Sequence, residues 1–511
     1  TLTAKDKICL QTHRECTPEA CPYANGYFDR VKTALWDALD THALTADALQ
    51  ALAKKHTVCP FELGLDLSLW CDVVVGDYNY LFDPVVHLVR FFDAAGDYLF
   101  LIDEAHNLPG RARDMHSAAL AKSAFYDARK RLGKGKSSLK NALTKVNNIF
   151  IEWRHRCEET DGDDRFGRTF FEKTRADDFD RLCEPLEIWL DEHRESDETH
   201  DALLQLYFDV RAWLRVADTF DDHFVLQISA HGSEVRAAML CLDPSDFLAA
   251  DFAKGQAAVL FSATLAPAGY YKDLCGLPDA RAVALRSPFD QQNLGLWCAR
   301  QVSTRYKDRA ASIAQISELL AVMAGAKAGH YLAFFPSYSY LQQVWENFIA
   351  RFPDVPTTKQ ETAMDEAQRA DFLAQFAAPD GRTLLGFAVL GGVFGEGVDL
   401  VGDSLIGAAI VSPGLPQVGA RQEQLRDYFE QTRGSGFDYA YRYPGMNKVL
   451  QAAGRVIRTP QDKGVVLLID DRFTAPDTRR LMPPHWEHLR VVTSADAWKT
   501  ELTDFWKKHE S

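Results

Sequence analysis

A short apolar run ending in adjacent carboxylates, Phe100-Leu101-Ile102-Asp103-Glu104-Ala105-His106-Asn107, is the first segment of the chain equipped for chemistry. A strand that ends this way presents a divalent cation and a base: Asp103 to hold Mg²⁺, Glu104 to orient or deprotonate the water that attacks a nucleotide. Ser262-Ala263-Thr264-Leu265 follows the apolar run Ala257–Phe261 and places two hydroxyls to bond across to the His106 region. Gly392-Val393-Phe394-Gly395-Glu396-Gly397-Val398-Asp399 reads as a glycine-rich turn where backbone approaches a ligand closely, with Gly397 and Asp399 as its contacts. In Gln451-Ala452-Ala453-Gly454-Arg455-Val456-Ile457-Arg458, the spacing predicts a helix with Gln451, Arg455 and Arg458 on one side, at i, i+4 and i+7. Two guanidiniums aimed at a cleft neutralise charge developing on a γ-phosphate. Taken singly, each segment also has a plain structural reading: a surface acid pair, a tight loop, an ion-pair site. The ordered set is far more specific than any member.

The phosphate-cradling G-x-x-x-x-G-K-[ST] loop that should precede the carboxylates is not found in the 511 residues. Gly135-Lys136-Ser137 ends like one, but Lys130 stands where its first glycine should be and no strand precedes it. That segment is expected to lead into a helix cap.

The elements that must position these residues follow from hydrophobic patterning. Short, continuously apolar runs at Val73–Val75, Tyr98–Ile102, Ala257–Phe261, Tyr331–Phe335, Leu384–Val389, Gly407–Val411 and Val465–Ile469 predict parallel strands covered on both faces. Helical periodicity lies between many of them, giving an α/β reading for both ends of the chain. From about Pro109 to Phe247 the character changes. Leu139, Leu143, Val146, Phe150 and Trp153 recur at steps of three and four behind Ser137/Ser138, an N-cap, and further helical stretches follow at Phe179–Trp189 and Ala202–Trp213. Polar, basic Arg300–Ala310 is the expected inter-domain connection.

At 511 residues the chain is long enough for two or more cores, and 47% apolar with 25% charged residues is the composition of an ordinary globular protein. No window has the roughly 20 unbroken apolar residues of a membrane span, so no membrane partner is expected. Ten cysteines in so long a chain do not read as a disulfide framework; they fit a reducing cytoplasm, with some acting as ligands. The net charge of −15 argues mildly against a general polyanion binder. Local distribution differs: ten Lys/Arg fall between Arg111 and Lys145 against Asp114 and Asp127 alone. On charge, a nucleic-acid contact and a solvated helix face are equally open.

In order and distance, these segments resemble motifs II, III, V and VI of superfamily 2 helicases, in particular the XPD/DinG-like iron–sulfur DNA helicases. Tyr78-Asn79-Tyr80-Leu81-Phe82-Asp83-Pro84, Ser287-Pro288-Phe289 and Phe334-Phe335-Pro336-Ser337-Tyr338 resemble the same family, so the likeness spans essentially the whole chain. It implies two RecA-like motor domains with parallel sheets, the first interrupted by an iron–sulfur subdomain and a helical arch. The expected division is 1–70 for the cluster, 71–108 with 248–299 for motor domain 1, 109–247 for the arch and 300–511 for motor domain 2. It also implies ATP and Mg²⁺ as cofactors, single-stranded and forked DNA as partners, 5′→3′ polarity, a role in repair and a monomeric, cytoplasmic protein. Ser262 and Thr264 become the residues coupling the ATP cleft to the strand. Tyr78, Tyr80 and Tyr338 are either base-stacking or core residues.

Cys9, Cys16, Cys21 and Cys59, spaced C-x6-C-x4-C-x37-C, acquire the family's role as ligands of a [4Fe–4S] cluster. Zinc fits less well, since only Cys16 and Cys21 approach the close pairing of structural zinc sites. Cys71 is a possible substitute fourth ligand, but Cys59 has the family's Cys-Pro context. A helicase-like binding or remodelling module without unwinding, and a zinc-bound RNA helicase, are the competing readings. In the family the phosphate loop lies upstream of the first cluster cysteine, and Thr1–Cys9 resembles the segment just before that cysteine. The chain is therefore expected to begin in mid-protein and its 511 residues not to hydrolyse ATP appreciably. A phosphate-release assay with single-stranded DNA checks this; measurable turnover would contradict it.

Overall fold

A computed structural model describes residues 1–133, 137–159, 168–172, 177–194, 197–377, 381–395 and 404–509. The chain forms two compact units: Thr1–Tyr98 with Ala253–Gln256, and Leu99–Phe252 with Ala257–Ser511.

The first unit is helical. Helices Tyr27–Ala38, Ala46–His56 and Pro60–Ser68 pack through Val31, Ala34, Leu49, Ala53, Leu63 and Leu67. Thr45 caps the second by accepting the Ala48 N–H, and Cys59 with Pro60 opens the third. Val73–Val75, expected as a strand, is irregular and exposed. A strand needs a ladder, and the backbone bond recorded for this run is the one from Leu2 N–H to the Val75 carbonyl, 2.8 Å.

The second unit carries three sheets among the described residues. β1 (Leu99–Ile102) and β6 (Ala257–Leu260) pair in parallel, Leu99 opposite Ala257. The largest sheet has seven strands, all parallel, in the order β13 (Arg490–Val492), β7 (Leu294–Ala299), β12 (Gly464–Ile469), β11 (Gly407–Val411), β8 (His330–Phe335), β10 (Leu384–Val389), β9 (Thr357–Lys359). β8, β11 and β12 are buried along their whole length, which is why they read as unbroken apolar runs. β7 belongs to this sheet, so the second α/β layer starts upstream of residue 300. Arg300–Ala310 is the loop and helix start leaving β7, not a connection between domains.

The insertion is more than helical. Helices Ser138–Glu159, Asp177–Glu192 and Glu198–Asp218 pack against an antiparallel sheet ordered β2 (Ala118–Ala121), β5 (Glu234–Cys241), β4 (Phe224–His231), β3 (Arg168–Glu172). Phe224, Leu226 and Ile228 alternate inward along β4, and Gly232 at φ +61° turns the hairpin into β5. Ser137 caps the first helix through the Lys140 N–H at 3.1 Å; Gly135 and Lys136 lie outside the described residues.

At the carboxyl end of β12, Asp470 is fully buried. Its Oδ2 accepts from Thr304 N and from Thr304 Oγ1, both on the loop leaving β7, and Arg472 Nε bonds Oδ1 at 2.7 Å. Burial alone would push this carboxyl up; the Arg472 pair and the Thr304 bonds overcome it and hold it below the usual range. Arg472→Gln should therefore cost about 3 kcal/mol, because an unpaired carboxylate is left behind. The stabilisation from Asp470 is present above the ordinary carboxylate pKa of about 3.9 and fades as pH falls. Urea melts of wild type and R472Q at pH 7 and at about pH 2.5 check both; equal stability at pH 7 would contradict the assignment.

Candidate nucleotide site and cysteine cavity

The carboxylate motif leaves β1 through backbone bonds to its neighbour: Phe261 N–H reaches the Ile102 carbonyl and Ala105 N–H the Phe261 carbonyl. Asp103 and Glu104 are exposed at the strand end, and Asp103 Oδ1 accepts the Glu104 N–H at 2.7 Å. Glu104 sits at φ +45°, ψ +40°, a left-handed conformation that costs a non-glycine residue about 1–2 kcal/mol. That turn sends the Glu104 carboxylate outward while burying His106, whose side chain is 2% exposed. Strain of this kind persists where surroundings over-determine it.

The surroundings here are a line of hydrogen bonds. His106 Nδ1 lies 2.8 Å from Ser262 Oγ and 3.2 Å from Glu104 Oε2, and Ser262 Oγ donates to Glu104 Oε2 at 3.2 Å. On the far side, Gln451 Nε2 reaches His106 Nε2. An amide nitrogen only donates, so His106 Nε2 must accept and the proton sits on Nδ1. The carboxylate facing Nδ1 favours the same tautomer. The direction is then Gln451 to His106 to Ser262 to Glu104, each donor used once. Burial lowers the His106 pKa while Glu104 and Asp103 pull it up, with a net fall that keeps the ring neutral. Thr264 is buried behind, its N–H on Ser262 Oγ at 3.2 Å.

The arginine segment departs from expectation. Helix Tyr443–Ala453 ends before Gly454, so only Gln451 is on it; Arg455 and Arg458 follow in turns. Arg455 is buried and clamps the Gly395 carbonyl through Nε at 3.0 Å and Nη2 at 2.8 Å. The Arg458 N–H is held by Asp462, which also takes the Thr459 N–H and hydroxyl. Gly454 breaks the i, i+4, i+7 face that the spacing alone suggested. Gly397 and Asp399 lie outside the described residues. Gln360 was not foreseen: buried at the end of β9, it accepts the Val389 N–H at 2.8 Å and donates to the Tyr338 hydroxyl at 2.9 Å. It thereby joins the ends of β9 and β10 to the start of helix Tyr338–Arg351, just before the glycine turn. A lone glutamine in an edge strand gives no signal in sequence.

In the first unit, Cys9, Cys16, Cys21 and Cys59 line one cavity of about 390 Å³ with Lys5, Arg14 and Arg90. All are free thiols, graded from exposed Cys16 to buried Cys21. They share a wall without converging: among the described residues no three His, Cys, Asp or Glu side chains are drawn together as metal ligands. Cys71 faces a different, much smaller cavity with Thr1 and Leu44 and bonds the Leu67 carbonyl at 3.3 Å. Geometry thus separates it from the other four.

Two family models match, the Helicase C-terminal domain over residues 320–489 and DEAD_2 over residues 1–125. The helicase subunit XPD of general transcription and DNA repair factor IIH from Dictyostelium discoideum is 22% identical over 93% of this chain and 72% of its own length. The ATP-dependent DNA helicase YoaA of Escherichia coli is 27% identical over 40% of this chain and 31% of its own. The matched models and relatives support this chain as an XPD/DinG-like superfamily 2 helicase. Its fold agrees: a solved XPD helicase superposes with a TM-score of 0.59 at 18% identity, covering 94% of this chain and 87% of that one. S. tokodaii Xpd4 gives 0.58 at 16% identity, covering 93% and 95%. Among the described residues no helix is long and apolar enough to cross a membrane.

The tautomer is checkable. Imidazole ¹H–¹⁵N correlation spectra should show His106 neutral with its proton on Nδ1 at pH 7, titrating below the ordinary value of about 6.5. Because its folded pKa is depressed, its contribution to stability is present above about pH 6.5 and lost as pH falls. An Nε2-protonated ring, or a midpoint at or above 6.5, would contradict the direction of the line.

Proposed function

We propose that the chain works as an ATP-dependent DNA helicase that tracks along single-stranded DNA 5′→3′, as a monomer, and opens forked duplexes in DNA repair. The observation that carries this reading is the His106 bridge, which joins the carboxylate motif to the helix of Gln451. Helicase membership supplies ATP and Mg²⁺. When bound, the metal neutralises phosphate charge as the terminal phosphoryl group leaves. The carboxylate motif has the donors for it: Asp103 as ligand and Glu104 to orient the attacking water. Ser262 and His106 hold the Glu104 carboxylate at one oxygen, so its aim depends on where Gln451 stands. Arg455, now on Gly395, and Arg458 face the γ-phosphate after closure, with Gly397 and Asp399 completing that side and Thr264 steadying Ser262. Closure and reopening move the two motor layers between two states and so ratchet the strand.

Residues 1–70 form the cluster subdomain of this proposal, 109–247 the arch, and the second motor domain starts at β7. Three thiols close in sequence and Cys59 from farther along the chain share one cavity, with Cys71 outside it, and this supports Cys9, Cys16, Cys21 and Cys59 as ligands of a [4Fe–4S] cluster. Such a cluster ties small helical segments together by metal–thiolate bonds. In the arch, Arg113, Lys122, Arg131 and Lys140 are already engaged with Leu242, Ser233, Glu198 and Gly133. Lys130 and Lys145, both exposed, are the better contacts for a DNA backbone.

Strand displacement on a 5′-tailed fork with ATP tests the function. The natural full-length protein should unwind it and its Glu104→Gln variant should lose at least about 100-fold, the scale of a general base. ATP hydrolysis without displacement would instead mark a remodelling module. Cys16→Ser should lose iron and the brown absorption; wild-type protein carrying zinc alone would sink the cluster assignment.

A further inference from the structure

Helix Leu108–Met115 grows directly out of the carboxylate motif through the turn Ala105–Asn107. Its Arg113 is poorly solvated for a cation. Nε donates to the Leu242 carbonyl at 2.9 Å, and the Phe429 ring lies 5.8 Å from the guanidinium carbon. Nη2 is fully buried and meets no acceptor among the described residues. The Tyr270 hydroxyl lies beside the same guanidinium, which pulls that phenol's pKa down against the rise caused by burial. A buried donor left unsatisfied is costly, and more so when charged. For stability alone, an apolar side chain of similar length would serve here as well or better.

What Arg113 touches gives it another use. Phe429 is on helix Ala420–Arg433, which leads through the π-helical turn Asp438–Arg442 into helix Tyr443–Ala453, the helix of Gln451. Leu242, Tyr270, Leu274, Phe429, Tyr439 and Tyr441 bury one another in a joint between the two motor layers. Three polar ties cross the same joint: the Tyr439 hydroxyl donates to Asp273, Arg421 pairs with Asp114 at 3.0 Å, and Arg433 lies 3.7 Å from buried Asp243. Single π turns inside α-helices are frequent at functional sites. The carboxylate-motif segment therefore meets the Gln451 side twice, directly through His106 and Gln451 and again through Arg113 and Phe429, which lies on the helix leading to that of Gln451.

We infer that Arg113 is a positioning residue for ATP hydrolysis: its guanidinium holds the carboxylate-motif helix against the aromatic joint, so that motion of the Gln451 helix is passed to Glu104. The inference rests on the helicase reading. The test uses Arg113→Met, Arg113→Lys and, from the other side of the joint, Tyr439→Phe in the natural full-length protein. Arg113→Met should melt within a few degrees of wild type, leave KM for ATP within about twofold, and lower DNA-stimulated kcat at least tenfold, or about 1.4 kcal/mol. Lysine should restore part of kcat, Tyr439→Phe should reproduce part of the loss, and Arg113→Met should speed amide hydrogen exchange across Tyr443–Ala453. Unchanged kcat with unchanged exchange overturns the inference, as does a kcat loss that follows a fallen melting temperature and is not rescued by lysine. Wild-type protein without DNA-stimulated hydrolysis counts against the helicase reading only. Exchange then decides the inference alone: faster exchange supports it and unchanged exchange overturns it.

Discussion

One imidazole carries the connection on which the site depends. His106 is buried and neutral, accepts from Gln451 at one nitrogen and donates to Ser262 at the other, and Ser262 passes a donor to Glu104. Hydrogen bonds in a poorly solvated line polarise and orient one another. Glutamate on an exposed strand end would otherwise sample many rotamers. Here one of its oxygens is fixed by a group whose position reports the second motor layer. Under the proposed function, hydrolysis depends on closure through this line of hydrogen bonds.

The rest of the fold can be understood as support for that line. Glu104 is held in a left-handed turn that it would not adopt alone, and the β1–β6 ladder on either side keeps it there. Gln360, Asp470 and the Gly395 carbonyl each fasten the carboxyl end of a strand in the seven-stranded sheet, the edge where α/β sheets bind ligands. Arg455 engages the Gly395 carbonyl with its buried guanidinium, which keeps the cation desolvated and satisfied; under the proposed function a phosphate competes for it.

Much of this was legible in the sequence because it rests on short-range pattern. The apolar runs at Tyr331–Phe335, Gly407–Val411 and Val465–Ile469 are strands because both faces are covered, and Ser262 meets His106 as its place after β6 suggested. Other features depend on competing local rules or on partners far away. Gly454 ended a helix that side-chain spacing would have continued. Val73–Val75 had strand composition but no ladder. The β4–β5 hairpin was overlooked although Phe224, Leu226 and Ile228 alternate before Gly232, because the long helices around it dominated the pattern. Gln360 and Arg113 gave no sequence signal, since each matters only through neighbours tens or hundreds of residues away.

The central claim is that Gln451 and Ser262 act on Glu104 through one shared path. A double-mutant cycle on DNA-stimulated ATP hydrolysis at saturating ATP, with Gln451→Ala, Ser262→Ala and both together, measures this directly. The account predicts strong non-additivity: the double variant should lose little more than the worse single one, a coupling of at least about 1 kcal/mol. Losses that add to within about 0.5 kcal/mol would mean that the two residues work independently, and would contradict the account.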